Sequence, residues 1–244
     1  MDRMHLLWWG LAASLAFLFL APVASGETYL EATFDDKAID QPIGVGGPAV
    51  GEPVYIDSEL QAIVRSSPFG TPCLEIHNTD PAQHRWIGFE MEEAVSTGLV
   101  VVIMDVWFYR IGWGDEFWLY LYDDIWSNNF LALVFDGTGG IWGSTKGGSV
   151  GELGSFSVGR PYPIMIVLDM DAETLSIWLD GVPALVDYPH GADAAARMQQ
   201  VQWAGRVNAA PDSRMSIDQI RVISDLVPAP AESMTWGRIR ALYR

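Results

Sequence analysis

Short apolar runs follow one another from residue 27 to about residue 224, and glycine, proline, asparagine and aspartate separate them. Many of these runs alternate apolar and polar side chains, which is the period of a half-buried β-strand. Helical periodicity occurs only around 193–200. The pattern predicts an all-β domain with strands at Tyr29–Phe34, Glu59–Arg65, Cys73–His77, Trp86–Met91, Val100–Tyr109, Phe117–Tyr122, Phe130–Phe135, Ile164–Asp169, Leu175–Asp180, Val201–Val207 and Ile217–Ile223.

Two consecutive strands carry aromatic side chains on one face. Because successive residues of a strand point to opposite sides, residue parity sorts core from surface. The run 117–122 alternates apolar residues with Trp118, Tyr120 and Tyr122. The run 100–109 similarly places Asp105, Trp107 and Tyr109 opposite its apolar face. Joined through residues 110–116, the two runs are predicted to form a hairpin with these six side chains on one side.

An aromatic face beside carboxylates is suited to sugars. The apolar C–H side of a pyranose packs on an indole ring, and a carboxylate accepts hydrogen bonds from hydroxyl groups. Trp113 and Trp126, in neighbouring loops, are predicted to help orient the ligand. The alternative is that loops cover these rings, since Tyr and Trp are common wherever one end is apolar and the other wet. Exposed aromatic patches without a partner are rare, which favours a binding surface.

Charge narrows the choice of partner. The chain has 244 residues with 31 acidic and 14 basic side chains, giving a formal net charge of −17. Nucleic-acid binding requires a basic surface, so DNA and RNA are excluded as expected partners. Half of the residues are hydrophobic, which also excludes a disordered chain.

The N-terminal residues 1–26 are predicted to be a signal peptide. Arg3 precedes an apolar run, Leu6–Leu20, and small residues follow it. The alternative is a membrane anchor, but the run is shorter than the ~20 residues that span a bilayer. We therefore expect a secreted or cell-envelope protein with no membrane span after cleavage. Cys73 is the only cysteine, so no intramolecular disulfide forms, and we expect it to be a buried small side chain.

The C-terminal region differs in composition from the β-rich domain of residues 27–224. Residues 225–232 are rich in proline and alanine and predict an extended linker. Residues 233–244 form an amphipathic basic tail that contains Trp236 and three arginines. The segment 236–240 loosely resembles endings of some secreted bacterial proteins. Folding of the tail onto its own domain and a role in export or docking both remain open.

Three segments carry a resemblance to a known family. A first strand ends in Phe34-Asp35-Asp36, a late hairpin covers 162–181, and a closing strand begins Ile217-Asp218. Together they resemble the concanavalin A-like, laminin G-like jelly-roll superfamily over about residues 27–224. The resemblance implies two stacked antiparallel sheets, paired first and last strands, and a face or rim that binds glycans or proteins.

The resemblance also implies a structural calcium ion between the first and last strands. Hard oxygen ligands of the kind that Ca²⁺ prefers occur there, namely Glu31, Asp35, Asp36 and Asp218. The alternative is that these are solvated or capping carboxylates of an acidic protein. The apolar alternation changes phase around Asp218, which predicts a β-bulge at this residue.

Some members of the superfamily cleave polysaccharides, but this chain lacks their Glu-x-Asp-x-(x)-Glu and Tyr-Phe-Lys-x-Gly-x-Tyr strands. A retaining glycosidase needs two carboxyl groups about 5 Å apart, and Asp105 and Glu116 are the candidate pair. The sequence therefore favours a non-catalytic module that binds a polysaccharide or cell-surface glycan. The alternatives are a glycoside hydrolase or lyase of the same fold, and a structural or adhesive envelope protein.

Overall fold

The computed structural model describes residues 27–66, 68–80, 83–123, 128–206 and 213–224. The predicted signal peptide, linker and tail, and Trp126, lie outside these residues. The described part contains a 3₁₀ helix, Pro48–Val50, and fifteen strands: β1 Glu27–Thr33, β2 Tyr55–Ile56, β3 Leu60–Arg65, β4 Cys73–Asn78, β5 His84–Val95, β6 Leu99–Arg110, β7 Glu116–Asp123, β8 Asn129–Asp136, β9 Gly140–Thr145, β10 Gly148–Ser155, β11 Pro161–Asp169, β12 Thr174–Leu179, β13 Val182–Pro189, β14 Met198–Arg206 and β15 Arg214–Ser224.

The strands form two antiparallel sheets, which confirms the predicted all-β sandwich. One sheet has eight strands in the order β13-β12-β11-β6-β15-β4-β3, with β1 also paired to β15. The other has seven in the order β10-β9-β8-β7-β14-β5-β2. The first and last strands pair as predicted, and the register of β15 against β6 shifts between Ile217 and Ile220. The bulge predicted at Asp218 is therefore confirmed.

The hydrophobic core lies between the sheets and takes inward-facing side chains from both. Phe108 of the eight-stranded sheet is fully buried and packs on Phe117 and Phe135 of the seven-stranded sheet, with ring centroids 6.0 and 4.9 Å apart. Trp203 of β14 is also fully buried and lies 6.0 Å from Phe135. Cys73 is buried, as expected from the sequence.

All eleven strands predicted from the sequence are present, and four further strands were missed. The missed strands are β2, β9, β10 and β13. β2 has only two residues, and most residues of β10 and β13 are partly or fully exposed. A strand without a buried face has no apolar alternation to detect. The predicted turn at Asp180-Gly181 is confirmed, because both residues have positive φ and join β12 to β13 as a two-residue hairpin loop requires.

The helical periodicity around 193–200 was misleading. No helix occurs there, and Met198–Gln200 begins β14. β14 pairs with β5 on one side and with β7 on the other. The hydrogen bonds of two neighbouring strands outweigh a weak local preference of this kind.

No helix within the described ranges is long and apolar enough to cross a membrane.

Candidate functional site

The predicted sorting of aromatic side chains within each strand is correct, but the predicted hairpin is wrong. Along β7, buried and partly exposed residues alternate, with Trp118, Tyr120 and Tyr122 on the partly exposed side. β6 shows the same alternation at Trp107 and Tyr109. However, β6 belongs to the eight-stranded sheet and β7 to the seven-stranded sheet. Residues 110–116 therefore connect the two sheets, and the aromatic residues are divided between opposite outer faces of the sandwich.

The group on β6 is engaged with its own sheet. Trp107 makes an edge contact with Phe69 at 6.1 Å between ring centroids. The Tyr109 hydroxyl is hydrogen-bonded to Ser216 at 3.3 Å, and the Arg214 guanidinium lies 5.7 Å from the Tyr109 ring centroid. Asp105 lies on this same outer face.

Asp105 and Glu116 cannot form a catalytic pair, because Glu116 points outward from the seven-stranded sheet. The whole thickness of the sandwich separates the two carboxylates. The proposed acid and nucleophile of a retaining glycosidase are therefore not brought together.

The outer face of the seven-stranded sheet gathers a larger set of rings. The ring planes of Trp118, Tyr120 and Tyr122 lie within 10° of one another, at centroid spacings of 5.6 and 5.3 Å. Trp86 of β5 lies 5.2 Å from Tyr120 across the intervening strand β14. We call this surface the aromatic face and define it by the six outward-pointing residues Tyr55, Trp86, Trp118, Tyr120, Tyr122 and Trp142.

Small residues separate the rings of the aromatic face. Ala204 of β14 lies opposite Trp86 on one side and Trp118 on the other. Gly88 lies under the Tyr55 ring, where a β-carbon would come within 2.1 Å of a ring atom. Glycine at position 88 is therefore required for Tyr55 to pack closely against the sheet.

Trp142 extends the aromatic face across the sheet. Its neighbour Val134 in β8 lies opposite Trp118, so Trp118 and Trp142 fall on one cross-strand row. Trp142 is 44% exposed, and its indole N–H donates to Asp136 at 2.9 Å. Burial alone would raise the pKa of Asp136, but hydrogen bonds from Thr138, Gly140 and Trp142 outweigh it and lower the pKa. The carboxylate thus stays ionised and holds an exposed indole in a fixed orientation.

A pocket of about 340 Å³ lies at the β2 side of the aromatic face. Aromatic rings and two polar side chains form its walls: Tyr55, Trp86, Tyr122, Asp57 and Gln202. Asp57 accepts a hydrogen bond from the Trp86 backbone N–H at 2.9 Å. This bond fixes the carboxylate beside the indole.

The rim of the aromatic face beside Trp118 is polar. Glu116 accepts a hydrogen bond from the Trp118 indole N–H at 3.0 Å and lies 3.8 Å from the Arg206 guanidinium. The His84 ring packs 5.6 Å from Trp118, and burial, assisted by Arg206, lowers the pKa of His84. His84 is therefore neutral at pH 7, and Arg206 is the cation of this rim.

Burial raises the pKa of the Tyr120 hydroxyl, with Tyr122 and Glu116 adding to the shift. Burial likewise raises the pKa of Tyr122. Both phenols thus stay protonated at neutral pH and can donate hydrogen bonds to a ligand.

The site residues predicted from the sequence lie in different parts of the structure. Trp118, Tyr120 and Tyr122 belong to the aromatic face, whereas Asp105, Trp107 and Tyr109 lie on the opposite side. Trp113 is 85% exposed in the loop between β6 and β7. Trp126 lies outside the described residues.

Sequence reasoning missed three members of the aromatic face: Tyr55, Trp86 and Trp142. Parity within the predicted strand Trp86–Met91 would have placed Trp86 on its outer face. Tyr55 and Trp142 belong to strands that the pattern did not predict.

The acidic residues predicted to bind calcium lie near the paired first and last strands. Glu31 forms an ion pair with Arg221 at 2.7 Å. Asp218 accepts a hydrogen bond from Thr71 at 2.6 Å. Burial raises the pKa of Asp218, and nearby Asp35 adds to the shift. No group of three or more His, Cys, Asp or Glu side chains that could hold a metal occurs within the described ranges.

The calcium site stays a prediction, and thermal unfolding tests it. A bound ion stabilises the folded state by about 2.7 kcal/mol at a concentration of 100 times its dissociation constant. We expect calcium to raise the melting temperature, a chelator to reverse the rise, and Asp218→Asn to remove it. A melting temperature that does not respond to calcium or chelator would contradict the site.

Comparisons with known proteins give structural matches only. No family model and no curated protein matches the chain. A sialidase superposes with a TM-score of 0.56 and 14% identity, over 70% of this chain and 16% of its own length. The cellulose induced protein Cip1 superposes with a TM-score of 0.55 and 13% identity, over 80% of this chain and 97% of its own.

A third solved structure, described as "Prominent members of the human gut microbiota express endo-acting O-glycanases to initiate mucin breakdown", superposes with a TM-score of 0.50 and 10% identity. The match covers 81% of this chain and 99% of that one. The sialidase, in contrast, is much longer than the region it shares with this chain. At these sequence identities the matches show a similar fold only.

Sheet order, strand pairing and these superpositions agree on one fold. The chain folds as a two-sheet antiparallel jelly-roll sandwich.

Proposed function

We propose that this protein is an exported, non-catalytic module that binds a polysaccharide or cell-surface glycan through its aromatic face. The observation that carries the proposal is the set of six rings on one outer sheet face, four of which form a connected cluster: Trp86, Trp118, Tyr120 and Tyr122. Aromatic rings supply large apolar contact area at low entropic cost, and their polar tips satisfy hydroxyl groups. An ordered aromatic surface of this kind is expected to have a partner.

Two of the similar structures belong to proteins that act on glycans, which supports a carbohydrate partner. One is a sialidase, and another structure concerns endo-acting O-glycanases. Fold similarity by itself does not carry an activity from one protein to another. Glycan binding is therefore proposed from the aromatic face of this chain, and the similar structures only add support.

Binding without cleavage is proposed because Glu116 and Asp136, two carboxylates on this face, are both engaged by neighbouring groups. Glu116 is engaged by Trp118 and Arg206, and Asp136 by Thr138, Gly140 and Trp142. A glycosidase requires one carboxyl group that carries a proton at working pH. The lowered pKa of Asp136 is opposite to what a general acid needs.

A panel of immobilised neutral and acidic polysaccharides tests the proposal. We expect the purified chain to be retained by at least one polysaccharide, and the retained sample to release no new reducing ends. The control is a β-sandwich protein of similar net charge that lacks an aromatic face, applied to the same polysaccharides at the same concentration. It measures retention that is due to charge alone. Absence of retention throughout the panel would contradict glycan binding, and release of reducing ends would favour the enzyme alternative.

A further inference from the structure

The pocket at the β2 side of the aromatic face combines aromatic walls with two hydrogen-bond acceptors. Tyr55, Trp86 and Tyr122 supply aromatic walls, and Asp57 and Gln202 supply polar side chains. Its volume of about 340 Å³ lies at the lower end of the range for small-molecule sites. The pocket is therefore of a size for one small unit of a longer ligand.

Gln202 is the unusual residue in this wall. Its side chain is fully buried, and its Nε2 donates a hydrogen bond to Gln200 Oε1 at 2.6 Å. Its own Oε1 is buried and has no hydrogen-bond partner. Buried acceptors are nearly always paired in folded proteins, because an unpaired one costs stability. An acceptor kept unpaired beside a pocket is explained by a ligand that supplies the donor.

Asp57 supplies a second acceptor to the pocket. The Asp57 carboxylate accepts a hydrogen bond from the Trp86 backbone N–H and, as a carboxylate, offers only acceptors. A ligand carboxylate or sulfate in this pocket would meet both Asp57 and the Gln202 oxygen, which are repulsive to an anion. The chain as a whole carries a net charge of −17, so its long-range field also opposes anionic ligands.

We propose that this pocket selects a single uncharged sugar unit of the bound glycan, whose hydroxyl groups donate hydrogen bonds to Gln202 Oε1 and Asp57. The pyranose ring packs against Tyr55, Trp86 and Tyr122 while its hydroxyl groups face the two acceptors. Acidic sugar units are rejected by charge. This inference rests on the proposed function of the aromatic face and adds its specificity.

Matched pairs of monosaccharides test the pocket. Each pair consists of a neutral hexose and the hexuronic acid of the same configuration, titrated into the purified chain and followed by ligand-observed NMR. We expect a hexose of at least one pair to bind at least about tenfold more tightly than its acid, which is the effect of one unfavourable buried polar interaction. Equal binding of the two, or no binding of any hexose, would overturn the proposal.

Two variants identify the residues responsible. Gln202→Leu should weaken hexose binding about tenfold. Because this substitution also removes the buried hydrogen bond to Gln200, the melting temperature of the variant is measured to establish that it is folded. Asp57→Asn should instead reduce the difference in affinity between a hexose and its hexuronic acid. Trp107→Ala, on the opposite sheet, is the matched control and should leave hexose binding unchanged. Hexose affinity that is unchanged in Gln202→Leu would overturn the role of this residue.

The outcome for the pocket is separable from the outcome for the aromatic face. Polysaccharide retention can depend on Trp118 while no hexose binds more tightly than its hexuronic acid. In that case the pocket proposal fails and the proposal of glycan binding stands. If the chain is retained by no polysaccharide, the proposed function fails independently of the NMR result.

Discussion

Replacing Trp118 with alanine should weaken glycan binding by about 30-fold or more, whereas Trp107→Ala should leave it unchanged within about twofold. Trp118 lies in the middle of the aromatic face, where it contacts Tyr120 and His84 and donates to Glu116. Truncating a central aromatic residue typically costs 2 kcal/mol or more of binding free energy, and 1.4 kcal/mol is a factor of ten. Trp107 points away from the other sheet, so its loss removes no ligand contact.

The comparison is matched because both substitutions remove an indole from an outer face of the same sandwich. Affinity is measured for the polysaccharide that retains the wild-type chain, and the melting temperature of each variant establishes that it is folded. A loss of affinity in both variants would indicate that affinity follows overall stability. A loss in Trp107→Ala alone would place the binding surface on the eight-stranded sheet and contradict the proposed function.

Phe108→Ala should lower the free energy of unfolding by about 3–5 kcal/mol, the usual cost of removing a buried phenylalanine. Phe108 is fully buried, and its ring contacts Phe117, Phe135 and Phe156 at centroid distances of 6.0, 4.9 and 4.7 Å. Its ring connects the two sheets, so its loss leaves a cavity between them. Native domains are stable by only about 5–15 kcal/mol, so the loss is a large fraction of the total.

Equilibrium unfolding in urea measures this effect. We expect the midpoint to fall while the slope of free energy against urea concentration stays the same, which is the signature of a change in stability alone. Trp113→Ala is the control, because Trp113 is 85% exposed and surface substitutions usually change stability by no more than about 0.5 kcal/mol. If Phe108→Ala changed the free energy of unfolding as little as Trp113→Ala does, the packing of the two sheets would not depend on the Phe108 ring.

Local patterns were reliable where one face of a strand is buried. The alternation in 117–122 correctly assigned Phe117 to the core and Trp118 to the surface. The same reasoning worked for Trp107 in β6. It failed for β10 and β13, in which no residue is buried, and for β2, which is too short to show a period.

Pairing between strands was not predictable in the same way. β6 and β7 are adjacent in sequence and look like a hairpin, yet their partners come from distant parts of the chain: β11 and β15 for β6, and β8 and β14 for β7. The pocket illustrates the same limit. Its walls come from β2, β5, β7, β14 and the residue after β2, and no local pattern brings Tyr55, Trp86 and Gln202 together.

The sequence by itself determined the all-β class, the positions of most strands and the face on which each aromatic residue of β6 and β7 lies. These properties follow from residue preferences and from the alternating direction of side chains, which are local. Only the tertiary structure decided that Trp107 and Trp118 lie on opposite sides of the sandwich and that Trp86 and Trp142 complete the aromatic face. Sheet membership depends on long-range hydrogen bonding and on which apolar faces pack together, and neither is encoded in any single segment.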